Sequence, residues 1–79
     1  MNIHIEKSAK KFIERQPPKT QTWIMRAIFV LPKGDIVPMA NMSGYYRLRV
    51  GDYRVVFFID YTNNTIIIYN AGNRGDIYK

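Results

Sequence analysis

The sequence predicts a single small α+β domain spanning residues 1–79: an N-terminal strand, a two-helix hairpin, and then an antiparallel sheet. Three observations carry this. The first five residues alternate apolar and polar, residues 8 to 31 carry apolar side chains at helical spacing, and from Ile36 onward alternation returns between turn signals. A chain of 79 residues buries only about 60% of the surface its unfolded form exposes, so it folds alone with little margin. Its hydrophobic content of 47%, without a repeat or biased tract, argues for a packed core and against disorder.

In Met1 to Ile5, Ile3 and Ile5 share one side of a half-buried strand, and His4 faces the other way as a surface histidine. Ser8 can accept a hydrogen bond from the backbone amides of the next turn, which predicts an N-cap for a helix running to about Arg15, with Phe12 and Ile13 inward. Pro17 and Pro18 end that helix. Pro18 also suits the first turn of a second helix, where a missing amide hydrogen costs nothing; this helix is expected to reach Leu31. Trp23, Ala27 and Leu31, with Ile24 and Ile28 beside them, form its apolar stripe. Pro32-Lys33-Gly34-Asp35 is turn chemistry, and Ile36 to Met42 reads as a weak strand that Pro38 confines to an edge.

Twelve Lys and Arg against six Asp and Glu give a net charge of +6, which favours an anionic partner: nucleic acid, an acidic protein or a membrane surface. The same excess also serves plain solubility. The chain has no cysteine, which excludes disulfides and thiolate chemistry, and with a single histidine it offers no metal-ligand cluster. The N-terminal residues lack the apolar stretch of a signal peptide and no run is long enough to span a bilayer, so a cytoplasmic location is expected. Lys7, Lys10, Lys11, Arg15, Lys19 and Arg26 belong to the outer faces of the helices, where they extend any anion-attracting field.

The chemistry concentrates in a hairpin. Tyr45 to Val50 alternates strictly, Gly51-Asp52 makes a two-residue turn, and Tyr53 to Ile59 returns. Such a turn pairs Val50 with Tyr53, Arg49 with Arg54, Leu48 with Val55 and Arg47 with Val56. Tyr46, Leu48, Val50, Tyr53, Val55, Phe57 and Ile59 then face the core, and Arg47, Arg49 and Arg54 share the other face. Like charges directly opposite each other cost up to about 1 kcal/mol, which an anion between the guanidinium forks would offset. After the loop at residues 60–65, pairing of Ile59 with Ile66 brings Gly72, Asn73 and Arg74 back toward Arg54 and Arg49, a convergence of four arginines. The sequence contains no Ser-His-Asp set, paired carboxylates or P-loop.

The segment GYYRLRVGDYRVVFFID and the terminal AGNRGDIYK, with the strand, helical pair and proline-glycine turn before them, resemble the RelE/ParE superfamily of bacterial toxin-antitoxin toxins, in its RelE-like branch. The resemblance spans nearly the whole chain. It implies the toxin of a type II system, a ribosome-dependent messenger-RNA endoribonuclease in which the RNA's own 2′-hydroxyl attacks the adjacent phosphate without metal or cofactor. By position it assigns Arg54, Arg74 and Tyr78 to catalysis and Arg47, Arg49 and Lys79 to RNA phosphate. A phenol ionises only near about pH 10, so Tyr78 would need the arginines to stabilise its phenolate. Where relatives often carry His or Lys this chain has Asn73, an amide that exchanges no proton usefully, and no C-terminal helix is expected after Tyr78. The implied partners are a cognate acidic antitoxin, the ribosome and messenger RNA, with no membrane and with DNA met only through the antitoxin complex. A ParE-like gyrase inhibitor and a weakened toxin that serves mainly to bind its antitoxin are the alternatives.

Overall fold

A computed structural model of the chain describes residues 1–73. Strand β1 (Asn2–Ile5) leads into helices α1 (Lys7–Glu14) and α2 (Pro18–Phe29), and then come β2 (Ile36–Pro38), β3 (Tyr45–Val50), β4 (Tyr53–Asp60) and β5 (Thr65–Asn73). The strands form one five-stranded sheet in the order β1-β5-β4-β3-β2. Its four later strands are antiparallel as expected, whereas β1 joins β5 in parallel, so the sheet is mixed. The connections explain the difference. A two-residue turn forces antiparallel neighbours, but β1 is separated from the sheet by both helices, a crossover long enough for a parallel pairing.

The helices cover one face, α1 over β5 and α2 against β3. Ala9, Ile13, Ile24, Ile28 and Leu31 meet Leu48, Val50, Val55, Phe57, Ile66, Ile68 and Ala71 in one core. At about 25 cal/mol per Å², a buried Leu, Ile or Phe here stabilises by roughly 1.5–3 kcal/mol, so this layer sets the phase of every strand above it.

Three local expectations change. Ser8 is not the N-cap: α1 starts at Lys7 with Glu6 as its cap residue, and the Ser8 hydroxyl donates instead to the Tyr69 carbonyl at 3.3 Å. Tertiary contact with β5, through the Glu6 amide on the Ile68 carbonyl at 2.9 Å, fixes the helix start where a local cap was expected. Helix α2 stops at Phe29, because the residue before a proline disfavours the helical region and Leu31 precedes Pro32. Its buried stripe is Ile24, Ile28 and Leu31; Trp23 lies on the margin and keeps 50% exposure.

The β3–β4 hairpin has the expected register from Val50↔Tyr53 to Arg47↔Val56, and Ile59 pairs with Ile66. Between β4 and β5 the register shifts: Val56 faces Asn70, Phe57 faces Ile68, and Tyr69 is the extra residue of a bulge. Beyond it, Gly72 rather than Ala71 lies opposite Arg54. At the far end Asp60 accepts from the Asn63 side chain at 2.7 Å and its amide at 3.2 Å, which closes the β4–β5 loop and holds the Asp60 carboxyl below its ordinary range. Among the described residues no helix is long and apolar enough to cross a membrane.

Candidate nucleic-acid interface

Alternation along β3 and β4 sends Leu48, Val50 and Val55 into the core and puts Arg47, Arg49 and Arg54 on the uncovered face. Arg49 and Arg54 are direct cross-strand partners. The three differ in their surroundings: Arg49 is exposed, Arg47 half-buried, and Arg54 only 8% exposed, the sole charged residue among the buried ones described.

The Arg54 guanidinium folds back over the hairpin turn. Its Nη1 donates to the Gly51 carbonyl at 3.1 Å and the Tyr53 carbonyl at 3.0 Å. Gly51 can present that carbonyl because it adopts φ of +58°, a left-handed conformation that suits glycine. The Arg54 Nε is buried and has no hydrogen-bond partner among the described residues. A buried cation with an unfilled donor is expensive in isolation, and an oxyanion on this face would offset its charge.

Asp35, which the sequence reading placed only in a turn, is the missed member of the cluster. Its carboxylate takes a two-pronged grip from Arg49, Nε to Oδ2 at 3.1 Å and Nη2 to Oδ1 at 2.9 Å, while its carbonyl accepts the Arg49 amide at 2.9 Å. The hydrogen bond from Arg49 holds the Asp35 carboxyl below its usual range against the opposing effect of desolvation, and the charges of Arg49, Arg54 and Arg47 add to the lowering. All three guanidinium groups therefore act on one carboxylate. The signal available in the sequence was one acidic residue between Gly34 and the edge strand that pairs with β3, since Ile36↔Leu48 carries Asp35 beside Arg49.

Toward the β4–β5 loop this sheet face carries a cluster of rings. Tyr45 packs on Phe58 with ring centroids 5.0 Å apart and on Tyr69 at 5.4 Å. These rings wall an open groove of about 420 Å³ whose other side is Glu6, Lys7 and Ser8 at the start of α1. The bulge at Tyr69 supplies one of the rings, and no periodicity in the sequence pointed to it.

Asn73, the last described residue, pairs with Tyr53, so the chain leaves β5 beside the turn that Arg54 grips. Arg74, Tyr78 and Lys79, the other residues expected at the site, lie outside the described residues. Among the described residues no group of three His, Asp or Glu side chains is arranged to hold a metal ion.

No protein-family model matches the sequence, and no curated protein is a significant match. Solved structures do match. The RelB-RelE antitoxin-toxin complex from Methanococcus jannaschii superposes with TM-score 0.76 at 26% identity, covering 95% of this chain and 94% of that one. The archaeal RelE-RelB complex from Pyrococcus horikoshii gives 0.74 at 25% identity over 95% and 96%. The isolated RelE toxin from E. coli, at 11% identity, shares the fold with TM-score 0.72 over 98% of this chain and 89% of that one. Over nearly its whole length the chain therefore has the fold of these RelE toxin structures.

Proposed function

We propose that this protein is the toxin of a type II toxin–antitoxin pair and acts as a ribosome-dependent messenger-RNA endoribonuclease in the cytoplasm. The observation that carries the reading is the buried, turn-anchored Arg54 beside Arg49 and Arg47 on the uncovered face of a RelE-like sheet.

In this reading the RNA backbone lies across the arginine face. The 2′-oxygen of one nucleotide attacks the adjacent phosphorus, the 5′-oxygen of the next nucleotide leaves, and a cyclic phosphate and a free 5′-hydroxyl remain. Arg54, held by two backbone carbonyls, places a fixed positive charge beside the phosphorane, and preorganised charge of this kind is what stabilises such a transition state most. Arg47 and Arg49 bind flanking phosphates. Arg74 adds charge at the same centre, Tyr78 handles protons and stacks on a base, and Lys79 extends the phosphate contact. A cognate antitoxin, with an acidic segment that folds as it binds, would cover this surface.

The test is single-turnover cleavage of messenger RNA on programmed ribosomes. Wild type should cut, Tyr78→Phe should bind but cut at least about tenfold more slowly, and Arg74→Ala should also lose rate. DNA damage on induced expression, without ribosome-dependent cuts, would instead favour gyrase inhibition; neither effect would favour an inert relative.

A further inference from the structure

Helix α2 presents a second surface, on the other side of the molecule from the arginine face. Lys19, Thr22, Trp23 and Arg26 recur at three- and four-residue spacing on the side turned away from the buried Ile24 and Ile28. With Pro18 they line an open groove of about 390 Å³. An indole that is 50% exposed is unusual for a domain with this little core, and it is not loosely held. The six-membered edge of Trp23 packs so closely on Gly51 that a Cβ there would come within 2.3 Å, and the ring meets Tyr53 edge-on with centroids 6.3 Å apart. The fold therefore fixes a large aromatic platform and leaves half of it in water.

Its neighbours indicate what it receives. Helix α2 contains no acidic residue, and Lys19 and Arg26 flank Trp23 along the helix, about 10 Å apart by axial rise. Thr22 donates its hydroxyl to the Pro18 carbonyl at 3.1 Å and so presents no free donor of its own. Farther along, Phe29 and Val30 are also exposed, beyond Arg26 and before Lys33. Apolar surface thus alternates with cations, whereas a partner helix would want an unbroken apolar row. A single nucleic-acid strand alternates bases and phosphates in the same way, and an exposed ring between cations is how such strands are gripped without regard to sequence.

We propose that Trp23, Lys19 and Arg26 form a second RNA contact, in which an unpaired base stacks on the indole and the flanking phosphates meet the two cations. It is separate from the arginine face, and it stands or falls independently of the cleavage proposed there.

Trp23 is the only tryptophan of the chain, so its fluorescence reports this site directly. The probe is a ten-nucleotide oligouridylate, with an abasic oligomer of equal length and an acidic peptide as comparisons. The oligouridylate should quench Trp23 in the full-length protein, and the abasic oligomer and the peptide should not. The Lys19→Ala, Arg26→Ala double variant alters only exposed side chains; it should lower affinity and reduce the slope of log K against log salt by about 1.4, for two phosphates released. Quenching should persist in Arg47→Ala, Arg49→Ala, which disables the sheet face. Absence of quenching, equal quenching by the abasic oligomer, or quenching by the peptide alone would each overturn the proposal. So would a signal lost in Arg47→Ala, Arg49→Ala yet intact in Lys19→Ala, Arg26→Ala, since Trp23 would then be reporting the arginine face through Gly51.

Discussion

The uncovered face of the sheet has two ends that solve the same packing problem in opposite ways. Toward the β4–β5 loop, Tyr45, Phe58 and Tyr69 cover the strands with rings that attract one another across the sheet. Toward the Gly51–Asp52 turn, the equivalent positions hold Arg47, Arg49 and Arg54, which repel one another. Aromatic cross-strand pairs add about 0.5–1.5 kcal/mol beyond their buried area, whereas directly opposed like charges subtract up to about 1 kcal/mol. One end is arranged for stability, and the other gives some of it up. Backbone carbonyls around Arg54 and the carboxylate of Asp35 limit that loss without abolishing the positive field.

If the arginine end is the reactive one, the largest effect should come from the least exposed member. Arg54→Lys keeps the charge but loses the planar fork, and its shorter set of donors cannot both hold the turn and reach a phosphorane. Single-turnover cleavage on ribosomes should fall about 100-fold, with ribosome affinity changed far less. Cleavage within twofold of wild type would remove Arg54 from the reaction and return it to a structural part.

Gly51 joins the arginine end to α2, since its carbonyl holds Arg54 and its α-carbon receives Trp23. Gly51→Ala places a side chain on a left-handed residue and drives a Cβ into the indole, so it should destabilise by about 1–3 kcal/mol in a chemical denaturation series. Pairing it with Trp23→Ala should recover part of the loss, because only the backbone cost then remains.

The aromatic end makes the converse prediction. A double-mutant cycle of Tyr45→Ala and Phe58→Ala should give a coupling energy of about 1 kcal/mol in stability, while the cleavage rate per folded molecule stays near wild type. Loss of cleavage at full folding would mean that the aromatic groove takes part in binding RNA and that the division between the two ends is false.

Most of this layout was legible in the residues. The hairpin register followed from one two-residue turn and strict alternation, and so did the shared face of Arg47, Arg49 and Arg54. Pro38 marked the edge strand for the plain reason that it cannot donate to a neighbour. What could not be read depends on contacts between distant segments. The parallel seat of β1, the bulge at Tyr69, the Ser8 bond to β5 and the shallow placement of Trp23 are decided by how elements meet, and local propensity carries no information about that. Asp35 belongs to the same class. Nothing in its local sequence separates it from an ordinary turn aspartate until β2 is laid beside β3.

That aspartate supplies the finest test of the comparison, because it is the only carboxylate among the described residues that pairs with an arginine. As a built-in anion it both relieves the repulsion at the arginine end and opposes an incoming phosphate. Asp35→Asn should therefore tighten binding of a short oligoribonucleotide severalfold at low salt, the gain shrinking as ions screen the field. Its effect on stability carries the opposite sign and depends on pH. The folded-state pKa of Asp35 is lowered by Arg49, so the ionised carboxylate contributes stability above its unfolded pKa of about 3.9, and that contribution is lost as pH falls through the lower folded value. Wild type should accordingly exceed Asp35→Asn in stability at neutral pH by a small margin, as expected for an exposed pair, and the margin should close below about pH 4. Thermal unfolding of both proteins from pH 7 down to pH 2.5 measures it. A margin that stays constant across that range would show that the carboxylate charge is not what steadies this end of the sheet, and the tighter RNA binding of Asp35→Asn would then need another cause.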